Sequence, residues 1–387
     1  MTDAIDDAML HELLRRARDD ESAYLADLEA LVRIETPSGH LPGLERAAAW
    51  LETAFGAVGT VTREETAAGP LLSVRCEGRG PRVLMLAHYD TVQPVGSWPE
   101  VWRIDGDRIF GPGTNDMKGG LLFALHALRL LAAEQRPQVE VLLTPDEEVG
   151  SEASRPRIEA AARDAGAVLV LEAPTNDGDP KVARKGGGRY RITVPGRAAH
   201  QGVEPEKGIN AVVEAAHQVL ALERISDPER GSRLGTNVIH GGTVVNVVAD
   251  RVELEVDARA WTLAEGRRLD AALHGLEPVL PGARLEVAGT FARPPMEALP
   301  GTMALFEGLE RIGRGLGLQL AAGRVGGASD GNFTAALGVA TLDGLGPVGF
   351  ADHTREEHIL RSKLAERLAL LAALLAELAG GETAERS

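Results

Sequence analysis

The sequence predicts an α/β fold in which a largely parallel central sheet is flanked by helices and interrupted by an inserted segment of α+β character. Short apolar runs that begin at Val83, Val139 and Val168 indicate buried strands. They alternate with helical patterns, which is typical of a parallel sheet. After Lys185 the pattern changes to strands in which apolar and polar residues alternate, so this segment is expected to have one solvated sheet face.

The α/β part of the chain begins and ends with predicted helices. The first stretch has helical periodicity, interrupted by a Thr-Pro-Ser-Gly turn at residues 36–39. A helix predicted at residues 120–128 follows the first apolar run, and another separates the second and third runs. From about Gly301 the α/β pattern returns, with a short strand at residues 339–342 and a final amphipathic helix.

The inserted segment differs in hydrophobic periodicity from the α/β part of the chain. Residues 189–194 alternate like a half-buried strand, and a helix is predicted at residues 209–220. Two further alternating runs, residues 243–248 and 251–257, are predicted to be strands. The segment closes near the linker-like residues 293–295. This pattern indicates an antiparallel α+β unit.

These patterns divide the chain into two predicted domains. Residues 1–184 and 297–387 form a discontinuous α/β domain, and residues 185–296 form the inserted α+β domain. A chain of 387 residues is long for one domain and comfortable for two. We found no internal repeat and no low-complexity segment.

Composition and charge exclude several classes of function. The formal net charge of -16 argues against nucleic acid and against anionic membrane surfaces as partners. The single cysteine, Cys76, excludes an internal disulfide and a cysteine-rich zinc module. The sequence begins without the pattern of a secretory signal, and no window reaches the roughly 20 apolar residues of a membrane helix. We therefore expect a cytoplasmic protein.

Acidic and imidazole side chains follow all three predicted parallel strands. They are His88, Asp90, Glu147, Glu148 and Glu172. Because open α/β sheets bind ligands beyond the carboxyl ends of their strands, we expect these side chains to lie close together. Carboxylates gathered at one edge would repel one another unless a cation lay between them. The sequence therefore predicts a metal site at this edge.

A further carboxylate, Asp116, lies in the glycine-rich segment 111–120, where glycines let the backbone turn tightly into a crowded centre. Glu147 and Glu148 are adjacent and cannot point the same way, so one can bind metal while the other faces substrate. Two ions about 3.5–4 Å apart would explain why there are more candidate ligands than a single tetrahedral ion needs. Each residue alone also has an ordinary explanation: a solvated helix start for the glutamate pair, a turn cap for Glu172.

Six segments of the chain resemble the dinuclear zinc peptidase and deacylase family. This family includes acetylornithine deacetylase, succinyl-diaminopimelate desuccinylase, aminoacylase and bacterial glutamate carboxypeptidase, and the chain is most similar to the last branch. The matching segments occur in the same order as in the family and span nearly the whole chain. They are residues 86–92, 111–120, 144–151, 171–174, 196–211 and 329–334.

The resemblance implies a site with two divalent metal ions, expected to be zinc. By this resemblance Asp116 bridges the two ions, His88 and Glu172 hold one, and Glu148 and His353 hold the other. It also implies a cis peptide bond directly after Asp116.

The choice of the late histidine rests on register, because two histidines occur in this segment. With His353 as the ligand, Glu357 falls at the family's spacing, whereas His358 belongs to the following element. Phe350 and Asp352 depart from the family's pattern of small residues before the histidine.

The resemblance further implies a metal-dependent hydrolase that cleaves an amide bond next to a free carboxylate, releasing a C-terminal amino acid. Glu147 is expected to be the general base for a metal-bridging hydroxide, and Asp90 is expected to support His88. One alternative is an N-acyl-amino-acid deacylase on the same scaffold. Another is a non-catalytic metal-binding relative.

For the inserted domain, the resemblance implies a four-stranded sheet with two helices that acts as a lid and forms a homodimer. His200 is then expected to reach a partner subunit's site and stabilise the oxyanion. Arg259 and Asn246 match substrate-binding positions, and an arginine fork suits a carboxylate. Arg324 is a weaker candidate. The alternative without a functional role is that His200 is a structural histidine in a turn and that the arginines are solvated surface charges.

The segment 327–331 formally fits the G-x-S-x-G nucleophile elbow. That motif requires a strand before the serine and a helix after it. Because residues 321–326 do not have a strand-like sequence, we interpret Ser329 as a coincidental match.

Overall fold

The parallel sheet predicted from the three apolar runs is present in a computed structural model, which describes residues 5–380. It lies in the first of two units, which contains the chain up to Val182, Ala298–Val325 and the chain from Ser329 onward. The second unit contains Ala183–Glu297 and Gly326–Ala328, and it interrupts the first in the sequence. The predicted α/β fold class is confirmed.

The central sheet aligns the carboxyl ends of the strands that precede the predicted metal ligands. Its strands are β1 (Thr60–Thr66), β2 (Gly69–Cys76), β3 (Arg79–His88), β6 (Pro137–Thr144), β7 (Ala167–Val170) and β14 (Thr341–Leu342). Their order is β1-β2-β6-β3-β7-β14, and the four strands from β6 to β14 are parallel to one another. The register pairs His88 with Thr144 and Leu86 with Val170, so three strands end at one edge.

Both faces of this sheet are covered, because side chains alternate along a strand. Val83, Met85 and Ala87 of β3 belong to the main hydrophobic core, whereas Leu84 and Leu86 belong to a second core on the other face. The helices of this unit are α1 (Asp7–Val32), α2 (Leu41–Gly56), α3 (Gly119–Leu130), α4 (Arg155–Arg163), α7 (Pro300–Gly315), α8 (Gly331–Ala336) and α9 (Leu364–Ala379).

The final helix α9 has the predicted apolar face. Leu364, Leu368, Leu371 and Leu375 are buried in the main core. Within residues 5–380, none of the helices has the length and apolar character required to cross a membrane.

A smaller sheet supports the loop that carries His353. It consists of β4 (Arg103–Asp105), β5 (Arg108–Phe110), β15 (Gly349–Phe350) and β16 (His358–Leu360), in the order β15-β16-β5-β4. Two short strands, β8 (Lys181–Arg184) and β13 (Gly323–Val325), lie near the sequence boundaries of the units. The expectation that residues 321–326 contain no strand is therefore wrong. The Gly323 N–H donates to the carbonyl of Pro180 (2.8 Å), so tertiary pairing forms this strand against its weak propensity.

The second unit is an antiparallel sheet with helices on one side. Its strands are β9 (Gly186–Pro195), β10 (Arg233–Gly241), β11 (Arg251–Ala260) and β12 (Glu286–Arg293), in the order β10-β11-β9-β12. Its helices are α5 (Ala211–Ile225) and α6 (Leu263–His274). The predicted alternation is present: Val252, Leu254 and Val256 of β11 are buried in the core of this unit.

The strand predicted at residues 243–248 is wrong, because these residues form a loop and the strand lies earlier, at β10. Gly242 has φ 74°, a left-handed conformation that turns the chain out of β10. The valines do not alternate between a buried and a solvated face: Val244 is 58% exposed and the adjacent Val245 is fully exposed, whereas Val248 is buried. Periodicity alone could not distinguish this loop from a half-buried strand.

We predict that Gly120→Ala destabilises the protein by about 1–3 kcal/mol, because α3 begins directly against the end of β7. A Cβ at Gly120 would lie 1.8 Å from the carbonyl oxygen of Leu171, a backbone atom that cannot move aside freely. Gly56→Ala is the matched control, since a Cβ added to Gly56 at the end of α2 would meet nothing within 4 Å. Urea unfolding measures both; equal stability of the two variants would contradict the prediction.

Candidate metal centre

The carboxyl edge of the central sheet brings the predicted metal ligands together. His88 ends β3, Glu148 follows β6 and Glu172 follows β7, while Asp116 precedes α3 and His353 lies between β15 and β16. Ligand atoms of His88, Asp116 and Glu148 all lie within 4.8 Å of one another. All five residues belong to the first unit.

Asp116 lies between the two imidazoles. Its Oδ1 is 3.0 Å from His88 Nε2, and its Oδ2 is 3.1 Å from His353 Nε2. Glu172 Oε1 lies 3.6 Å from His88 Nε2, and Glu148 Oε2 lies 3.2 Å from His353 Nε2. Each oxygen of Asp116 therefore faces one pair that consists of an imidazole and a carboxylate.

These residues fit divalent metal ions. Imidazole nitrogens and carboxylate oxygens are ordinary zinc ligands, and donors around one tetrahedral ion at about 2.1 Å lie roughly 3.4 Å apart. The distances between the donor atoms of the cluster, 3.0 to 3.6 Å, are close to this spacing. The peptide bond between Asp116 and Met117 is cis, as the resemblance implied.

The charges of the cluster shift the pKa values of its members. Hydrogen bonds to Asp116 and Glu148 raise the pKa of His353 to about 11. Burial opposes protonation of His88, but hydrogen bonds to Asp116 and Asp90 outweigh it and raise its pKa well above the ordinary value. Burial would raise the pKa of Asp116, yet the two imidazoles lower it. Burial raises the pKa of Glu148. The imidazolium charges thus balance the carboxylates, as a metal ion would.

Asp90 connects two of the strand ends. Its fully buried carboxylate accepts hydrogen bonds from the backbone N–H groups of Glu147 (3.1 Å) and Glu148 (3.2 Å), and from the Ser38 hydroxyl (2.7 Å). His88 Nδ1 lies 3.0 Å from the Asp90 carbonyl oxygen and 3.3 Å from its Oδ1. One side chain therefore orients an imidazole and fixes the backbone of the glutamate pair.

Glu357 was used in the sequence only to set the register, yet the structure gives it a role of its own. Its buried carboxylate accepts from the backbone N–H groups of Gly113 (3.1 Å), Asn115 (2.9 Å) and Asp116 (3.0 Å), and from Gln93 Nε2 (2.9 Å). Burial raises its pKa to about 8. It holds the loop that presents the central carboxylate. Its spacing from the late histidine was the signal that could have identified it.

Lys118 is a second supporting residue that the sequence did not reveal. Its side chain is fully buried, and its amine donates to the carbonyl oxygens of Ile34 (2.8 Å) and Leu31 (3.4 Å) at the end of α1. Burial lowers its pKa to about 7. It anchors the Asp116 loop to α1, and only the fold reveals which carbonyls it meets.

The structure places His353, and not His358, in the cluster. His353 has φ 63°, so a left-handed residue in the loop directs its imidazole to Asp116. The His358 ring instead lies against Phe110 and Phe350, with ring centroids 5.0 and 5.8 Å away. Its Nδ1 lies 2.7 Å from the carbonyl oxygen of Glu356.

Three other predicted site residues belong to the second unit. His200 pairs with Val247 through an isolated bridge, and the carbonyl of Asn246 accepts from the Gln201 N–H (3.0 Å), so these two loops are neighbours. Arg259 on β11 makes two hydrogen bonds to Asp257, at 2.7 and 2.9 Å. The roles predicted for these three residues stay predictions.

Arg324 lies in β13, and Ser329 lies between β13 and α8. Arg324 is an exposed residue of β13, and its predicted contact with substrate stays a prediction. Ser329 is fully buried, and its hydroxyl donates to Asp343 Oδ2 (2.6 Å). Although a strand and a helix flank this serine, its bond to a carboxylate inside the protein is structural, which agrees with our interpretation.

Comparisons with known proteins identify a family and several relatives of this chain. Residues 84–377 match the family described as Peptidase family M20/M25/M40. The chain is 33% identical over 391 residues to Carboxypeptidase G2 of Pseudomonas sp. (strain RS-16), covering 96% of this chain and 92% of that protein. It is 28% identical over 258 residues to acetylornithine deacetylase of Myxococcus xanthus, covering 61% and 67%. Its fold is similar to that of aminopeptidase PepT from Bacillus cereus ATCC 10987, with TM-score 0.77, 22% identity and coverage of 93% and 99%.

We predict that the affinity of this site for divalent metal falls as the pH falls. The raised pKa values of His88 and His353 favour protonated imidazoles in the metal-free protein, and a metal ion must displace those protons. The apparent association constant should fall about tenfold per displaced proton for each pH unit. Calorimetric titration with zinc in buffers of different ionisation enthalpy measures this proton release.

Two variants sharpen this measurement. His353→Ala should release fewer protons on metal binding, whereas His358→Ala should behave as the native protein, because its ring lies outside the cluster. An association constant that stays the same between about pH 6 and pH 8 would contradict the prediction.

Proposed function

The chain belongs to peptidase family M20/M25/M40 and is a hydrolytic enzyme, and on that premise we propose that it is a carboxypeptidase that releases a C-terminal amino acid next to its free carboxylate. The observation that supports this most is the position of Asp116 between two pairs of imidazole and carboxylate ligands. The identity of 33% to Carboxypeptidase G2 over nearly the whole chain favours this branch. Because the chain belongs to a family of hydrolytic enzymes, we do not retain the alternative of a non-catalytic metal-binding protein.

Five residues would hold the metal. We propose that Asp116 is shared by two ions, that His88 and Glu172 hold one, and that Glu148 and His353 hold the other. When bound, two divalent ions, proposed to be zinc, would polarise the scissile carbonyl and lower the pKa of water at the centre.

Glu147 is the proposed general base. It lies beside Glu148 on a single helical turn, Glu147–Val149, and its backbone N–H is fixed by Asp90. Because neighbouring side chains on such a turn diverge, Glu148 can face the metal ligands while Glu147 faces the substrate. It would take the proton of the attacking water and give it to the departing amine.

The second unit supplies the proposed substrate contacts. Arg259 would bind the substrate carboxylate, and its guanidinium is already oriented by two hydrogen bonds to Asp257. His200 would stabilise the oxyanion and Asn246 would contact the substrate from the neighbouring loop. The alternative that remains is an N-acyl-amino-acid deacylase, favoured by the identity of 28% to acetylornithine deacetylase.

A homodimer through the second unit is also proposed. β10 is an edge strand of the four-stranded sheet, and Ile239 on it is 55% exposed. The following loop exposes Val244 and Val245. An exposed apolar edge strand favours pairing with another chain, and a second copy offers the same edge.

Replacing Glu147 by glutamine should slow turnover strongly without removing metal. The amide cannot accept a proton, so kcat should fall about 10²–10⁴-fold. Glu152→Gln is the control, because Glu152 is an exposed glutamate on the same loop. Turnover of dipeptides and N-acyl amino acids is measured with the zinc-loaded proteins, together with their metal content. Nearly normal kcat in Glu147→Gln would remove it from the role of base.

Replacing Arg259 tests whether this residue binds the carboxylate of the substrate. Losing a hydrogen-bonded charge costs about 1.5–3 kcal/mol, so Arg259→Met should raise KM roughly 10- to 100-fold. Arg251→Met is the matched control, since Arg251 makes the same kind of bond to a carboxylate two residues away on β11, to Glu253 (2.6 Å). C-terminally amidated substrates should be poor for the native enzyme and no worse for Arg259→Met. Equal turnover of free and amidated substrates would contradict a carboxypeptidase.

The dimer and the role of His200 can be tested by mixing two inactive variants. If His200 acts on the partner's site, a mixed dimer of His200→Ala and Glu147→Gln contains one complete site. Random mixing should then restore about a quarter of native activity. If His200 acts within its own chain, mixing restores nothing. Ile239→Lys should dissociate the dimer in analytical ultracentrifugation, and a monomeric native protein would contradict the proposal.

A further inference from the structure

We propose that Asp330 and Ser151 form a tether that positions the turn carrying Glu147 and Glu148. This inference rests on the proposed function only for the roles of those two glutamates. The carboxylate of Asp330 accepts hydrogen bonds from Thr144 and Ser151, and the role that we propose for it is that of a positioning residue. It comes from a segment 179 residues further along the chain than Ser151.

The carboxylate of Asp330 contacts both ends of this turn. The chain leaves β6 at Thr144, passes through Glu147–Val149 and reaches Ser151 before α4. Thr144 Oγ1 donates to Asp330 Oδ2 (3.3 Å), and the Ser151 hydroxyl donates to Asp330 Oδ1. All three bonded residues are at least nine-tenths buried. The hydrogen bonds are therefore shielded from competing water.

The backbone conformation of Ser151 supports a role for its side chain. Ser151 has φ 59°, in the left-handed region where glycine is favoured and a serine is strained. Its backbone N–H donates to the carbonyl of Asp146 (2.8 Å), which closes the turn. Backbone preference alone would predict glycine at this position. The serine hydroxyl explains the exception, because it reaches the buried carboxylate of Asp330.

The tether complements Asp90, which holds a different part of the same turn. Asp90 accepts from the N–H groups at the middle of the turn, at Glu147 and Glu148, whereas Asp330 holds its two ends. Loss of the tether therefore leaves the turn attached but less precisely placed. Catalysis is sensitive to such displacement, since a shift of about 1 Å can cost on the order of 10²-fold in rate.

Ser151→Gly separates positioning from stability. Glycine adopts φ 59° without strain, and this gain offsets the cost of the lost hydrogen bond, so the melting temperature should change little although the tether is lost. We expect kcat to fall about tenfold or more and KM to change by less than about threefold. Ser73→Ala is the matched control: Ser73 is also buried and donates to a buried carboxylate, Glu140 (2.8 Å), outside the turn. It should keep native kcat.

A second measurement does not depend on turnover. Hydrogen–deuterium exchange of the zinc-loaded protein should be faster at residues 146–151 in Ser151→Gly and in Thr144→Val, and unchanged there in Ser73→Ala. If no amide substrate is turned over by the native protein, the proposed function fails while this exchange still tests the tether. Native kcat in Ser151→Gly, or exchange in the turn equal to that of native protein, would overturn the tether.

Discussion

Negative charge is concentrated at one edge of the central sheet, and the need to balance it governs the arrangement of the site. Asp116, Glu148 and Glu172 meet two imidazoles within 3.0 to 3.6 Å. Such carboxylates are stable together only if positive charge lies among them, from imidazolium or from metal. The raised pKa of His353 and the lowered pKa of Asp116 are two consequences of the same constraint.

A second set of buried side chains holds the backbone that presents these ligands. Asp90 fixes the Glu147 and Glu148 N–H groups, and Glu357 fixes the N–H groups of the Asp116 loop. These carboxylates accept from backbone donors, so they orient loops that have little regular structure of their own. The site thus consists of ligands on loops and of supports buried beneath them. The positions of the candidate ligands therefore depend on the backbone hydrogen bonds of these buried carboxylates.

Where prediction from the sequence failed, local pattern competed with tertiary context. Residues 243–248 alternate like a strand, but Gly242 turns the chain and Val245 is fully exposed. The short strand β13 lacks strand propensity and forms because Gly323 meets Pro180. Both errors concern short segments, in which a few residues give little periodic signal and long-range contacts decide the conformation.

The α/β fold class and the strand ends at which His88, Glu148 and Glu172 lie could be predicted from the sequence, because buried parallel strands have apolar runs followed by polar residues. The choice of His353 over His358 had only register to support it. The partners of Asp90, Glu357 and Lys118 became known from the folded chain, because each side chain bonds to backbone groups that are distant in sequence. Nearly every residue carries such backbone groups, so the sequence does not indicate which of them will contact a given side chain.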